Sequence, residues 1–198
     1  PESTASAPGI LTIKADPSDL ACKLHANVLY ATKSGIPLHL HIIEPKQREG
    51  EKRLFPLLVY VQGSAWFKQD LGYEIPHLSR FARKGYVIAV VEYRPSPIAP
   101  FPAQLKDAKT AIRFLVSNAA TYSIDSDKIA LWGDSSGGHT AVMTGVTLDD
   151  PQLSDESPTD EPIQVKAVVD FYGPIDISKM NLEPSTQDHR DPTTPEGM

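Results

Sequence analysis

The residues of this chain best suited to chemistry lie between Ile129 and Ala141, in IALWGDSSGGHTA. A short apolar run, Ile129 to Trp132, meets Gly133-Asp134-Ser135-Ser136-Gly137, and small residues then open a helix. G-x-S-x-G between a strand and a helix forces a sharp turn with the serine at its apex. Strand and helix pass so closely there that a side chain on Gly133 or Gly137 would clash. The turn lifts the Ser135 hydroxyl clear of the strand end. The N–H of Ser136, at the positive end of the helix, then points where negative charge collects on a carbonyl oxygen under attack. This is equipment for nucleophilic acyl transfer, with Ser135 as the attacking group. Ser136 does not fit that role, because Asp134 stands where its leading glycine would have to be.

The surrounding pattern supplies elements to hold such a turn. Leu24 to Ala31 alternates as a strand, Lys33-Ser34-Gly35 is a turn, and Leu38 to Ile43 returns as a second strand. On the return strand His39 and His41 share one face, opposite Leu38, Leu40 and Ile42. Two histidines at that spacing suit a metal, but no third ligand is near in sequence, so they read as a solvated polar face. Leu57 to Val61 and Val87 to Val91 are continuous apolar runs, as strands covered on both sides require. Ile75 to Lys84 fits a helix with Leu78, Phe81 and Ala82 on one face and Gly85 at its stop. A proline-rich loop, Tyr93 to Pro102, precedes a helix to about Ala120, with Pro102 suited to its first turn and Leu105, Ala108, Ile112 and Leu115 forming its stripe. Ser123 to Lys128 reads as a loop. The helix after Ser135 runs to about Leu148, and Lys166 to Tyr172 is one more buried strand. Strands alternate with helices from Leu57 onward, so the sheet is mostly parallel and covered on both faces, with an antiparallel hairpin in front. Six strands are expected, and Ser135 follows the fifth.

Composition narrows the function classes. The 198 residues are 40% hydrophobic and 22% charged, with a net charge of −6, which describes a globular chain with a real core. No basic cluster is large enough to follow a phosphate backbone, so nucleic acid is excluded as a partner. The longest apolar runs are far too short for a membrane span. The single cysteine, Cys22, excludes an internal disulfide. The chain starts at Pro1, so the compartment stays undetermined; a soluble, cytoplasmic address suits the composition slightly better than secretion.

Three short motifs, in order, resemble the α/β-hydrolase fold, and within it the hormone-sensitive-lipase-like and feruloyl/acetyl esterases. They are the elbow Gly133 to Gly137, the segment Gln62-Gly63-Ser64-Ala65-Trp66 where that family has His-Gly-Gly-x-Trp, and Tyr93-Arg94 followed by Pro100-Phe101-Pro102-Ala103 and Asp107. The resemblance runs from about Leu24 to Tyr172. It implies a three-layer α/β-hydrolase fold whose strands seven and eight are absent from this chain. The expected organisation is an N-terminal arm at 1–23, an incomplete core at 24–173, and a loop or lid segment at 174–198 leading to a missing C-terminal part. By alignment with the family, the amides of Ser64 and Ala65 join that of Ser136 as an oxyanion hole. Gln62 replaces the family's His, and its amide offers a donor and an acceptor for the same bracing of the loop. Ser64 replaces a glycine, where a positive φ would be costlier. Trp66 and Phe67, with Tyr73 and Phe101, flank the site and are candidates to bind substrate.

A serine nucleophile needs a base and an acid that orients it. The family places the acid after strand seven and the His after strand eight, so the triad Asp and His are expected outside this chain, which then reads as a fragment of a longer polypeptide. His139 should pack along its helix, away from Ser135. His189, in Asp188-His189-Arg190-Asp191, has no strand before it to fix it. Asp107 lies on a helix upstream and reads as structural, holding the Tyr93-Arg94 loop; Asp134 reads as a helix cap. The resemblance implies a serine carboxylesterase acting on small carboxylic esters through an acyl-enzyme, with no metal and no cofactor. Its partners would be the ester substrate and the C-terminal remainder of the polypeptide. A non-catalytic binding protein on the same fold and a serine amidase or peptidase are the alternatives.

Overall fold

The computed structural model describes residues 7–9, 11, 20–155, 162–182, 188–194 and 197. Most of the expected arm, and parts of the 174–198 segment, lie outside the described residues.

Six strands form one sheet in the order β1-β2-β4-β3-β5-β6. β1 (Cys22–Lys33) and β2 (Ile36–Pro45) make the antiparallel hairpin. β2 pairs antiparallel with β4 (Val87–Val91), and β3 (Phe55–Val61), β4, β5 (Ile124–Asp134) and β6 (Val165–Phe171) run parallel. Three helices accompany them: α1 (Ile75–Arg83), α2 (Ala103–Ser117) and α3 (Ser135–Val146).

The strand residues sort by face. Val59, Val87, Ala89 and Val91 point into one core with Leu38, Leu40 and Ile42 and with Ala111, Ile112 and Leu115 of α2 and Ala141 of α3. Tyr60, Ile88, Val90 and Trp132 point the other way, into a smaller core closed by Leu78 and Ala82 of α1. A helix layer therefore covers each side of the sheet, which is why β4 consists of five buried aliphatic residues in a row. Burying each of its Val and Ile side chains stabilises by about 1.5–3 kcal/mol. α1 is capped at Lys84, with Gly85 at φ +93°, the left-handed stop that glycine adopts without strain. The Lys109 ammonium of α2 donates to the Thr147 carbonyl at the end of α3 and ties the two helices together.

Several boundaries differ from the sequence expectation. β5 starts at Ile124, because Ile124 pairs with Phe55 before the polar residues 126–128 bulge out and pairing resumes at Leu57 and Ile129. α2 starts one residue late: Pro102 stands at its cap with φ −100°. β6 is not buried; Val168, Val169 and Phe171 are 38–47% exposed. Among the described residues it pairs only with β5, so its outer edge lies open.

Candidate active site

β3 and β5 are hydrogen-bonded neighbours, and Val61 pairs with Gly133. The segments leaving their C-terminal ends, Gln62 onward and Ser135 onward, therefore emerge side by side at the carboxyl edge of a parallel sheet, where ligands of such sheets bind. Ser135 sits at φ +50°, left-handed for a residue with a side chain, and is half-buried. The glycines show what permits this. A Cβ on Gly133 would fall on the Gly137 carbonyl, and one on Gly137 would fall on the Val61 carbonyl of β3. The elbow is thus wedged between its own helix and the neighbouring strand. Among the described residues the Ser135 hydroxyl has no hydrogen-bond partner.

The loop after β3 is held from the elbow. Gly63 N–H donates to Asp134 Oδ1 at 3.0 Å, Ser64 N–H to Ser136 Oγ at 2.9 Å and Trp66 N–H to the same Ser136 Oγ at 3.2 Å. Gly63 itself lies so close that a Cβ would be 2.6 Å from the Asp134 carbonyl. Positive φ occurs at Ala65 (+49°) and Trp66 (+56°), not at Ser64, so the strain falls one and two residues after the place where a glycine was expected to be needed. Asp134 is the N-cap of α3 by position, but its carboxylate makes no cap bond. It accepts from Tyr60 Oη at 2.6 Å and from Gly63 instead. Burial, and then the hydrogen bond to Asp134, raise the Tyr60 pKa far above its ordinary value, so the phenol stays protonated and donates.

The Gln62 side chain does not brace the loop: among the described residues its buried Oε1 has no partner. The bracing comes from residues whose spacing gave no signal. The Ser64 hydroxyl donates to the Phe67 carbonyl at 2.7 Å and meets Tyr93 Oη at 2.9 Å. Gln69 donates through Nε2 to the Phe67 carbonyl at 2.6 Å and accepts the Tyr93 N–H at 3.0 Å. Burial pushes the Tyr93 phenol pKa up, keeping it neutral beside the loop. Asp107, completely buried, accepts from Arg94 N–H and Nε, both at 2.9 Å, and from Arg94 Nη2 at 2.8 Å. The expectation that it holds the Tyr93-Arg94 turn is met.

The remaining candidates separate. His139 is buried, its Nδ1 has no partner among the described residues, and its ring stands edge-on to Trp66 at 5.5 Å between centroids. Burial lowers its pKa, opposed by the charge of Asp170. Trp66 is turned inward at 6% exposure, whereas Phe67, Tyr73 and Phe101 present exposed rings. His189 donates its backbone N–H to Asn181 Oδ1 at 2.6 Å within a local turn. On β2, His39 Nδ1 lies 3.0 Å from Glu92 Oε2, and His41 Nδ1 accepts the Asn27 N–H at 3.1 Å. Among the described residues no group of three or more His, Cys, Asp or Glu could hold a metal ion, and no helix is long and apolar enough to cross a membrane.

The model of the BD-FAE family matches residues 40–197. Esterase LipC of Mycobacterium tuberculosis is 37% identical over 124 residues, 61% of this chain and 30% of that protein. Arylacetamide deacetylase of Bos taurus is 30% identical over 128 residues, 62% of this chain and 31% of that protein. A bifunctional GH43-CE protein of Bacteroides eggerthii superposes with a TM-score of 0.73 at 30% identity, over 88% of this chain and 26% of that one. The propionate-bound esterase Est2 of Thermogutta terrifontis gives a TM-score of 0.62 at 25% identity, over 85% and 60%. The chain spans about 30% of the length of the curated relatives it matches first. A match of that extent, on a mostly parallel sheet whose serine elbow adjoins the loop after β3, means that the chain belongs to the BD-FAE family, with an α/β-hydrolase fold.

Proposed function

We propose that the protein is a serine carboxylesterase in which Ser135 attacks the carbonyl carbon of a small carboxylic ester. The observation that carries this reading is the Ser135 backbone at φ +50°, on a glycine-walled elbow beside the loop after β3. The Oγ–carbon bond forms as the carbonyl π pair moves to oxygen. Collapse of the tetrahedral intermediate breaks the bond to the alcohol oxygen, which leaves with a proton, and water then releases the acid from the acyl-enzyme. The oxyanion is held by main-chain amides. Those of Ala65 and Ser136 supply the two donors; that of Ser64, expected as a third, is bound to Ser136 Oγ. Each such donor contributes about 3 kcal/mol to lowering the barrier. Proton transfer falls to a His, oriented by an Asp, that we place outside residues 1–198, because His139 packs on Trp66 and is kept neutral by burial. Phe67 serves as a substrate contact at the rim, and Trp66, turned inward, holds the loop from behind. Neither metal nor cofactor takes part in this chemistry.

The names of the relatives support ester hydrolysis, and the deacetylase raises the question of amides. Fluorophosphonate treatment of the full protein is expected to add one adduct, on Ser135, and S135A is expected to lose both the adduct and the activity. Label elsewhere, or full activity in S135A, overturns the proposal. Matched ester and anilide substrates are expected to favour the ester; faster anilide cleavage would reassign the enzyme as an amidase.

A further inference from the structure

A sharp serine turn needs small residues, and alanine after the nucleophile would satisfy it. This chain has Ser136 there, 1% exposed, with its hydroxyl aimed out of the elbow and into the neighbouring loop. A hydroxyl oxygen has two lone pairs. Both are used, one by the Ser64 N–H and one by the Trp66 N–H. On the other side of Ser135, the Asp134 carboxylate takes the Gly63 N–H. Among the described residues, Ala65 is then the one amide in the run 63–66 without an acceptor. The strained pair Ala65 and Trp66, both at positive φ, lies within the stretch these bonds hold. Left-handed backbone in two successive residues with side chains persists only where the surroundings impose it.

Taking the serine-esterase reading above as its basis, we infer that Ser136 Oγ, assisted by the Asp134 carboxylate, is a positioning group that fixes the oxyanion loop to the nucleophile elbow and leaves the Ala65 N–H as the loop's donor to substrate. Nucleophile and oxyanion hole then move as one body, since the side chains flanking Ser135 carry the loop. Because both lone pairs of Ser136 Oγ are engaged, that hydroxyl is not a second nucleophile.

The test uses the full protein and the variants S136A and S136T. Four quantities are read: kcat and KM on an activated ester, Ki for a trifluoromethyl ketone, thermal midpoint, and the mass of the fluorophosphonate adduct. The ketone adds reversibly to the serine to give an oxyanion, so its Ki reports the hole alone. In S136A, kcat is expected to fall by up to the roughly 10²–10³-fold that loss of one oxyanion donor costs. KM should stay unchanged, and the ketone Ki should rise in the same proportion as kcat/KM falls. S136T keeps the acceptor and should recover most of the loss. If the threonine methyl is not accommodated, D134N and D134L replace the pair: Asn keeps an oxygen facing Gly63 and Tyr60 and should retain more activity than Leu. Unchanged or raised kcat/KM in S136A, or a loss confined to KM and thermal midpoint, overturns the inference. A wild-type protein that takes no label overturns the esterase reading instead.

Discussion

Ser135 adopts a backbone conformation that costs an L-residue about 1–2 kcal/mol, and its neighbours without side chains make that conformation reachable. G137A would drive a Cβ into the Val61 carbonyl, which is backbone and cannot rotate away. A loss of more than about 2 kcal/mol in urea-unfolding stability is expected, in the range of backbone strain in a packed site, and activity should fall with it as α3 is pushed from β3. His139 offers a pH test. Burial holds its folded pKa below the ordinary value, so the unfolded chain binds the proton more readily. Stability is then fully present above about pH 6.5, the unfolded value, and declines as pH falls below it. H139F keeps an edge contact for Trp66 and removes the titration. Urea midpoints measured across this range should fall less steeply on the acid side in the variant than in the wild type; parallel profiles would remove His139 from the account.

At the scale of elements, the turn after β4 is fixed to α2 by one buried ion pair. Asp107 is fully buried, and Arg94 approaches it through the backbone N–H, Nε and Nη2. Lys33 from β1 adds a second cation at 3.3 Å. Removing one partner of a buried pair leaves the other charged and unmatched, which costs about 3–5 kcal/mol. D107A is therefore expected to lower stability by about that much, as read from denaturant unfolding. R94K should lose a large part of the same stability, because an ammonium cannot make the forked contact. Tyr93, adjacent to Arg94, carries the disturbance to the loop through Ser64 and Gln69, so both variants should also lower kcat.

For the whole molecule, the sheet order decides which strands are covered. β3 and β4 lie in the interior of the sheet with a helix layer on each face, whereas β1 and β6 are its edges among the described residues. Hydrogen exchange should mirror this. Amides of Leu57 to Val61 and Val87 to Val91 are expected to exchange slowest, near the limit of global unfolding, and those of β6 and the outer part of β1 much faster. Equal protection in β6 and β3 would show that a further layer covers β6 in solution.

How much of this could be read from the chain depends on the distance over which each signal acts. The elbow was legible because its requirements are local: five residues fix the turn, and the Gly133 and Gly137 spacing reports the close approach directly. The strands and helices were legible for the same reason, since their periodicities arise within one or two turns of backbone; alternation also puts His39 and His41 on the face opposite the buried Leu38, Leu40 and Ile42, though both are half-buried rather than solvated. β6 was misread as buried, because an apolar run states what a strand can tolerate and not what lies beside it. The bracing of the loop after β3 was not legible at all. Gln62 stood in the expected place and has an unpartnered Oε1, while Gln69, Tyr60, Asp134 and Ser136 supply the bonds across sequence separations of up to 74 residues. Sequence alone determined that a serine would stand at a strained turn between strand and helix. Only the tertiary structure decided which loop lies beside it and how that loop is held, because the pairing of β3 with β5 comes from burying whole faces of a sheet, and that pairing brings the two loops together.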